Sequence, residues 1–282
     1  MLSPCVWGCF LGLVATGAAA AVQLKGDVAY GPDARNRLDL CLPQSSGAPS
    51  AAVLMIHGGG WNAGHKEAFG HICQVYAEHG VLAATMEYRY ADGSEGGRWP
   101  AQLVDAQMAV RWLRAHADEL GIDPRHICAY GESAGGHLAA MLAVKGDPVD
   151  GGSPGAGSAR IACAVDNFGP VDFTAPYPAA PQVLKRFFPN SDDATNGQGA
   201  AAVSPLLAVG PDTAPIFIAH GFDDTFVPIA QSLTLMSALQ KAHVHVEFFA
   251  YDGGHSFVGM TAPAVAAVRE LEINFVIHSP DR

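Results

Sequence analysis

The chain is short of positive charge. Lysine and arginine number 16 against 27 aspartates and glutamates, a formal net charge of −11, and they form no basic run anywhere in the 282 residues. Binding to a phosphate backbone depends on clustered lysine and arginine, so no nucleic-acid partner is expected. An acidic surface favours solubility and disfavours strongly anionic substrates. The cysteines show no Cys-x-x-Cys spacing and the histidines no His-Glu-x-x-His, so neither a metal nor a cofactor is expected. His243 and His245 alternate on one strand face as a metal pair would, but no third ligand stands near them in sequence. A stable membrane span is also missing, since the most apolar stretch, around Cys9 to Val14, is too short to cross a bilayer comfortably.

What is present is apolar material. Hydrophobic residues make up 49% of the chain and charged ones 15%, which supplies a sizeable core and excludes a disordered or fibrous class. Residues 1–20 read as a signal peptide: an apolar stretch is followed by the small residues Ala18-Ala19-Ala20, although the segment before it carries no lysine or arginine. The expectation is a secreted or periplasmic protein, with a short membrane anchor as the alternative, and one domain over residues 21–282. Beyond the signal stand Cys41, Cys73, Cys128 and Cys163, an even count compatible with disulfides in an oxidising compartment. Cys128 and Cys163 nevertheless sit in apolar strand-like runs, where a buried free thiol is the commoner condition.

Apolar runs bounded by turn residues recur at 37–42, 51–56, 81–90, 127–130, 161–168, 216–219 and 245–251, and their nearly unbroken apolar character fits parallel strands covered on both faces. Helical patterns alternate with them at 66–79, 134–144, 229–242 and 262–277. Another opens after Pro100, repeats Val104, Met108 and Trp112 at four-residue spacing, and ends near Gly121. The alternation predicts a doubly wound α/β sheet. Two stretches interrupt it. Residues 146–158, rich in Gly, Pro and Ser, read as a flexible surface connection, and 172–205 as a lid, a substrate-binding loop or plain surface elaboration.

Gly131-Glu132-Ser133-Ala134-Gly135 follows an apolar strand and precedes a helix, the setting in which a G-x-S-x-G run acts as a nucleophile elbow rather than an ordinary glycine turn. His57-Gly58-Gly59-Gly60-Trp61 stands at the end of another apolar strand, where side-chain-free backbone can donate N–H groups to a developing oxyanion; the N–H of Ala134 is the expected partner donor. No Gly-Lys-Ser or Gly-Lys-Thr follows, which weakens a phosphate-cradle reading. An acid and a base are then needed downstream. Asp223 and Asp224 compete for the first role, with Asp224 preferred because Asp223 suits the turn itself, and His255 in Gly253-Gly254-His255 supplies the second. His65, His71, His79, His116, His126 and His243 are assigned to surfaces or caps, His57 and His137 to structural hydrogen bonds, and Glu132 to an architectural carboxylate.

In this order the motifs resemble those of α/β-hydrolase esterases of the hormone-sensitive-lipase and BD-FAE-like (acyl-xylan and feruloyl esterase) groups. The residues that carry the resemblance are 57–61, Tyr88-Arg89, Trp99-Pro100, Asp105, 121–124, 131–137, 220–228 and Gly254-His255. It implies a mostly parallel eight-stranded sheet with helices on both faces. It also implies a Ser133, Asp224 and His255 triad, with oxyanion donors at Gly59, Gly60 and Ala134. Trp61 after the glycines is more like the BD-FAE and kynurenine-formamidase branches, where its N–H stands in for that of Gly60. The insertion at 172–205 matches no motif. The expected activity is hydrolysis of short-chain, acetyl or feruloyl esters through an acyl-enzyme, on small molecules or on polysaccharide decorations. The alternatives are an amidase or peptidase, such as an arylformamidase, and a non-catalytic binding module.

Overall fold

The computed structural model describes residues 22–44, 50–146, 157–175, 177–189, 192 and 197–279. The expected signal peptide at 1–20 and most of the 146–158 connection lie outside the described residues. Eight strands form one sheet: β1 (Gln23–Ala29), β2 (Arg37–Leu42), β3 (Ser50–Ile56), β4 (Leu82–Met86), β5 (Ile122–Glu132), β6 (Ala164–Asn167), β7 (Ile216–Gly221) and β8 (Val246–Tyr251). Their spatial order is β1-β2-β4-β3-β5-β6-β7-β8; β2 pairs antiparallel with both β1 and β4, and the other pairings are parallel. The helices are α1 (Gly70–Glu78), α2 (Ala101–Ala115), α3 (Ala117–Leu120), α4 (Ala134–Val144), α5 (Ala180–Phe187), α6 (Gln198–Ala202), α7 (Ala230–Lys241) and α8 (Ala262–His278).

The unbroken apolar runs have a simple cause. Along β3, Leu54 and Ile56 point into the core that α2, α4 and α7 cover, while Val53 and Met55 point into the opposite core under α1 and α8. A strand buried on both faces has no polar position to alternate with, which is why periodicity alone does not reveal its facing. Helix ends follow local chemistry. Thr261 caps α8 through its hydroxyl, and Gly121 closes α3 in the left-handed region at φ 66°.

Three expectations need amending. β1 has no apolar run to announce it, because it is an exposed edge strand of sequence QLKGDVA. The 81–90 run forms strand only over Leu82–Met86, after which Tyr88 and Arg89 leave the sheet to make side-chain bonds. Cys128 and Cys163 are bonded to each other, and Cys41 is bonded to Cys73. An apolar setting suits a cystine as well as a free thiol. Pairing is decided by neighbourhood: the Ala129 N–H donates to the Cys163 carbonyl, which aligns Cys163 with β5 and brings the two Cα atoms to 4.7 Å.

The 172–205 insertion is partly helical, holding α5 and α6, and it is anchored rather than loose. Gln231 Oε1 on α7 accepts from the Val171 and Asp172 N–H groups, and Ser204 Oγ from that of Phe173. Its aromatics Phe173 and Phe187 pack against Trp61, which is buried.

The disulfides generate the first prediction. In protein denatured without reductant, Cys41, Cys73, Cys128 and Cys163 should fail to react with a thiol reagent, and each bridge should contribute roughly 3 kcal/mol of stability that reduction removes. Two reactive thiols at Cys128 and Cys163 would restore the free-thiol expectation.

Candidate active site

The centre of the site is a tight strand-to-helix turn. β5 ends at Glu132, α4 begins at Ala134, and Ser133 between them adopts φ 55° and ψ −116°, a conformation that a residue with a Cβ takes only when its surroundings impose it. The surroundings are glycines. A Cβ on Gly135 would fall on the Ile56 carbonyl, and one on Gly131 on the Gly135 carbonyl, so α4 starts hard against the ends of β3 and β5.

The turn presents Ser133 to His255. Nε2 of His255 lies 2.9 Å from Ser133 Oγ, and its Nδ1 lies 2.6 Å from Asp224 Oδ2. A carboxylate accepts, so Nδ1 carries the proton and Nε2 is free to accept from the serine hydroxyl. Asp224 is also the acceptor for the Phe226 and Val227 N–H groups, at 2.9 Å each. Asp223 is exposed and donates its own N–H to the Gly253 carbonyl. Of the two aspartates, Asp224 faces the histidine and Asp223 bonds within the turn.

Sequence reasoning missed His220. It is wholly buried, with Nε2 at 3.3 Å from Asp224 Oδ2 and 2.8 Å from the Val227 carbonyl, and Nδ1 at 2.7 Å from Ser232 Oγ. Its position at the end of β7, four residues before Asp224, was the available signal. Burial alone would raise the Asp224 carboxyl, but the hydrogen bonds from His220, His255 and Val227 outweigh it and hold the group well below the usual carboxylate range. Asp224 is therefore held as an anion at neutral pH.

The loop after β3 approaches the serine from the other side. A Cβ on Gly58 would stand 3.4 Å from that of Ser133. Gly59 has φ 107°, open only to glycine, and its carbonyl accepts from the Asn62 and Ala63 N–H groups. That bonding turns the loop back on itself, and among the described residues the N–H groups of Gly59 and Gly60 have no protein acceptor. Ala134 is the first residue of α4, where the N–H has no partner within its own helix. Trp61 continues the loop at φ 62° with its ring in the core.

Further residues tie the elbow and the glycine loop to the rest of the fold. Tyr88 donates its hydroxyl to the His57 carbonyl at 3.0 Å, and Arg89 holds Asp105 at 2.6 Å, fixing the segment after β4 to α2. Arg269 of α8 pairs with Glu132 at 2.5 Å and Glu272 at 2.9 Å and also bonds the Tyr130 hydroxyl, so Glu132 is an anchor for the elbow. His57 Nδ1 stands 2.7 Å from the Gly58 carbonyl. His137 is fully buried, with Nδ1 accepting from Trp61 Nε1 at 3.2 Å and Nε2 donating to the Val203 carbonyl at 2.8 Å. Acceptance at Nδ1 requires the neutral ring, and burial lowers its pKa to about 4. Among the described residues one cluster of metal-type ligands occurs, His65, Glu67 and Glu87, but Lys66 already pairs with Glu67 and Arg35 with Glu87.

The strand order, the helices on both faces and the serine turn at the carboxyl end of β5 define an α/β-hydrolase. A family model described as BD-FAE matches residues 38–239, and the chain belongs to that family. Curated relatives include the probable carboxylic ester hydrolase LipM of Mycobacterium tuberculosis, 33% identical over 227 residues that cover 77% of this chain and 52% of LipM. Esterase LipQ of the same organism is 31% identical over 226 residues, with coverage of 77% and 52%. The chain therefore spans about half the length of these relatives. Among solved structures, the propionate-bound esterase Est2 of Thermogutta terrifontis superposes with a TM-score of 0.74 at 27% identity, covering 92% of this chain and 94% of Est2. A truncated carbohydrate esterase from gut microbiota gives 0.74 at 26% identity, with 91% and 97% covered. Among the described residues no helix is long and apolar enough to cross a membrane.

The His137 environment sets a second prediction. Its folded pKa of about 4 lies below the unfolded value of 6.5, so the unfolded chain binds the extra proton first, and stability present above pH 6.5 is lost as the pH falls toward 4. The loss is roughly 3 kcal/mol at 1.36 kcal/mol per pH unit. The Tm difference between the wild type and His137→Gln should accordingly narrow across that interval in calorimetry; a constant difference would contradict the neutral, buried ring.

Proposed function

We propose that the chain is a serine carboxylic ester hydrolase that works through an acyl-enzyme. The observation that carries this reading is the hydrogen-bonded line from Ser133 through His255 to Asp224, at 2.9 and 2.6 Å, on a serine held in an elbow. Ser133 Oγ attacks the ester carbonyl carbon and passes its proton to His255 Nε2, while Asp224 stabilises the imidazolium. The tetrahedral oxyanion is taken up by the N–H groups of Ala134, Gly59 and Gly60, with that of Trp61 next along the loop. One such donor is typically worth about 10²–10³ in rate. Collapse breaks the bond to the alcohol, which leaves with the proton from Nε2. Water then attacks the acyl-enzyme, gives its proton to His255, and the acid departs as Ser133 regains its hydrogen.

The substrates we assign are short-chain, acetyl or feruloyl esters, including those that decorate polysaccharide. The ester hydrolases among the relatives and the carbohydrate esterase among the solved structures support this choice. Export through the 1–20 segment fits with it, and the Cys41–Cys73 and Cys128–Cys163 bridges suit an oxidising compartment.

Ser133→Ala should abolish labelling by a fluorophosphonate probe while leaving the circular dichroism spectrum unchanged; labelling that persists would remove Ser133 from its role. In steady-state kinetics on p-nitrophenyl acetate, Asp224→Asn should lower kcat by about 10³–10⁴, whereas Asp223→Asn should stay within about tenfold of the wild type. Faster turnover of an N-formyl or aminopeptidase substrate than of the ester would make the protein an amidase instead.

A further inference from the structure

The insertion brings one charged side chain to the glycine loop. Arg186, on α5, donates from Nη2 to the Gly60 carbonyl at 3.2 Å, and a Cβ built on Gly60 would stand 3.7 Å from the same nitrogen. The guanidinium thus lies against the loop two residues beyond Gly58, the glycine that abuts Ser133. Its Nε is buried without a hydrogen-bond partner, and among the described residues no carboxylate pairs with it.

Several other cations are held by carboxylates, although among the described residues Arg114 too is bonded only to backbone carbonyls. Arg35 has Glu87, Lys66 has Asp39, Arg89 has Asp105 and Arg269 has Glu132 and Glu272. In a chain of net charge −11 with acids to spare, a half-buried guanidinium without a carboxylate carries an uncompensated desolvation cost. Its fork geometry matches a planar carboxylate through parallel N–H donors. Tyr177, also in the insertion, keeps its proton: burial and the charge of Asp224 push its phenol up to about 12, against a smaller opposite pull from Arg186.

We infer that Arg186 is a specificity residue that receives a carboxylate carried by the substrate, so that the preferred esters are anionic. This rests on the serine hydrolase reading. The reacting ester carbonyl stays at Ser133, and the carboxylate is a separate group. It reaches Arg186 either from the acyl side, as in the monoester of a dicarboxylic acid, or from the alcohol side, as in an acylated uronic acid. The acidic surface that repels anions in general is locally offset here.

Two substrate pairs test the inference and separate the two sides: monoethyl succinate against ethyl succinamate, and 4-acetoxybenzoate against 4-acetoxybenzamide. Each pair differs in a carboxylate replaced by a neutral amide. The wild type should favour the charged member of one pair. In Arg186→Gln that charged-to-neutral ratio of kcat/KM should fall by about tenfold or more, mostly through KM, and Arg186→Lys should retain part of it. Added salt should shrink the wild-type ratio and leave that of Arg186→Gln unmoved. A ratio that holds within twofold in Arg186→Gln for both pairs, including the case in which both members slow together, would overturn the inference and reduce Arg186 to a support for the Gly60 loop. Failure of the wild type to hydrolyse the neutral members, with no fluorophosphonate labelling of Ser133, would overturn the serine hydrolase reading itself.

Discussion

The packing of α4 onto the carboxyl ends of β3 and β5 is the constraint from which the site follows. Gly131 and Gly135 leave no room for a Cβ, so the helix begins almost in contact with the Ile56 carbonyl. That closeness holds Ser133 in its unusual backbone conformation at the first turn of α4. A helix set back by one methyl group would separate the serine from Gly58. Interiors packed at crystal-like density do not absorb such a shift by small adjustments.

Around this fixed point the protein manages charge by pairing. Arg269 neutralises Glu132 and Glu272 beneath the elbow, Arg89 neutralises Asp105 beside α2, and Asp224 is held ionised by two histidines and backbone N–H groups. His137 is kept neutral by the opposite means, a wholly apolar and aromatic surround with one acceptor and one donor in reach. The same side chain therefore bridges Ser133 and Asp224 at His255, buttresses Asp224 at His220 and packs in the core at His137. Environment decides which.

Much of this was legible in the residues. Seven of the eight strands announced themselves as apolar runs, and α4 could be bounded at Ala134 and Val144 because glycine and a lysine mark its ends. Ser133, Asp224 and His255 could be ordered along the chain because each follows a strand, and in a parallel sheet the ends of successive strands meet at one edge. β1 escaped because an edge strand has no need of an apolar face. The Cys128–Cys163 bridge and the His220 contact escaped because both depend on which strands become neighbours, a property of the sheet order rather than of any local run. The insertion was visible as a break in rhythm, yet its helix α5 was not, since Pro181 and the aromatics around it resemble a loop until they are packed against Trp61.

The clasp between α8 and the elbow has a bearing on heat inactivation. Arg269 is the link by which a peripheral helix holds Glu132, the residue beside Ser133. Parts of a fold can open locally at free energies below that of global unfolding. Once α8 swings away, Glu132 loses its counter-charge and the strained turn loses its brace while the sheet is still intact. A rise in temperature that frees α8 ahead of the sheet would therefore unseat the elbow first, and the seating of one arginine sets how far apart the two events lie.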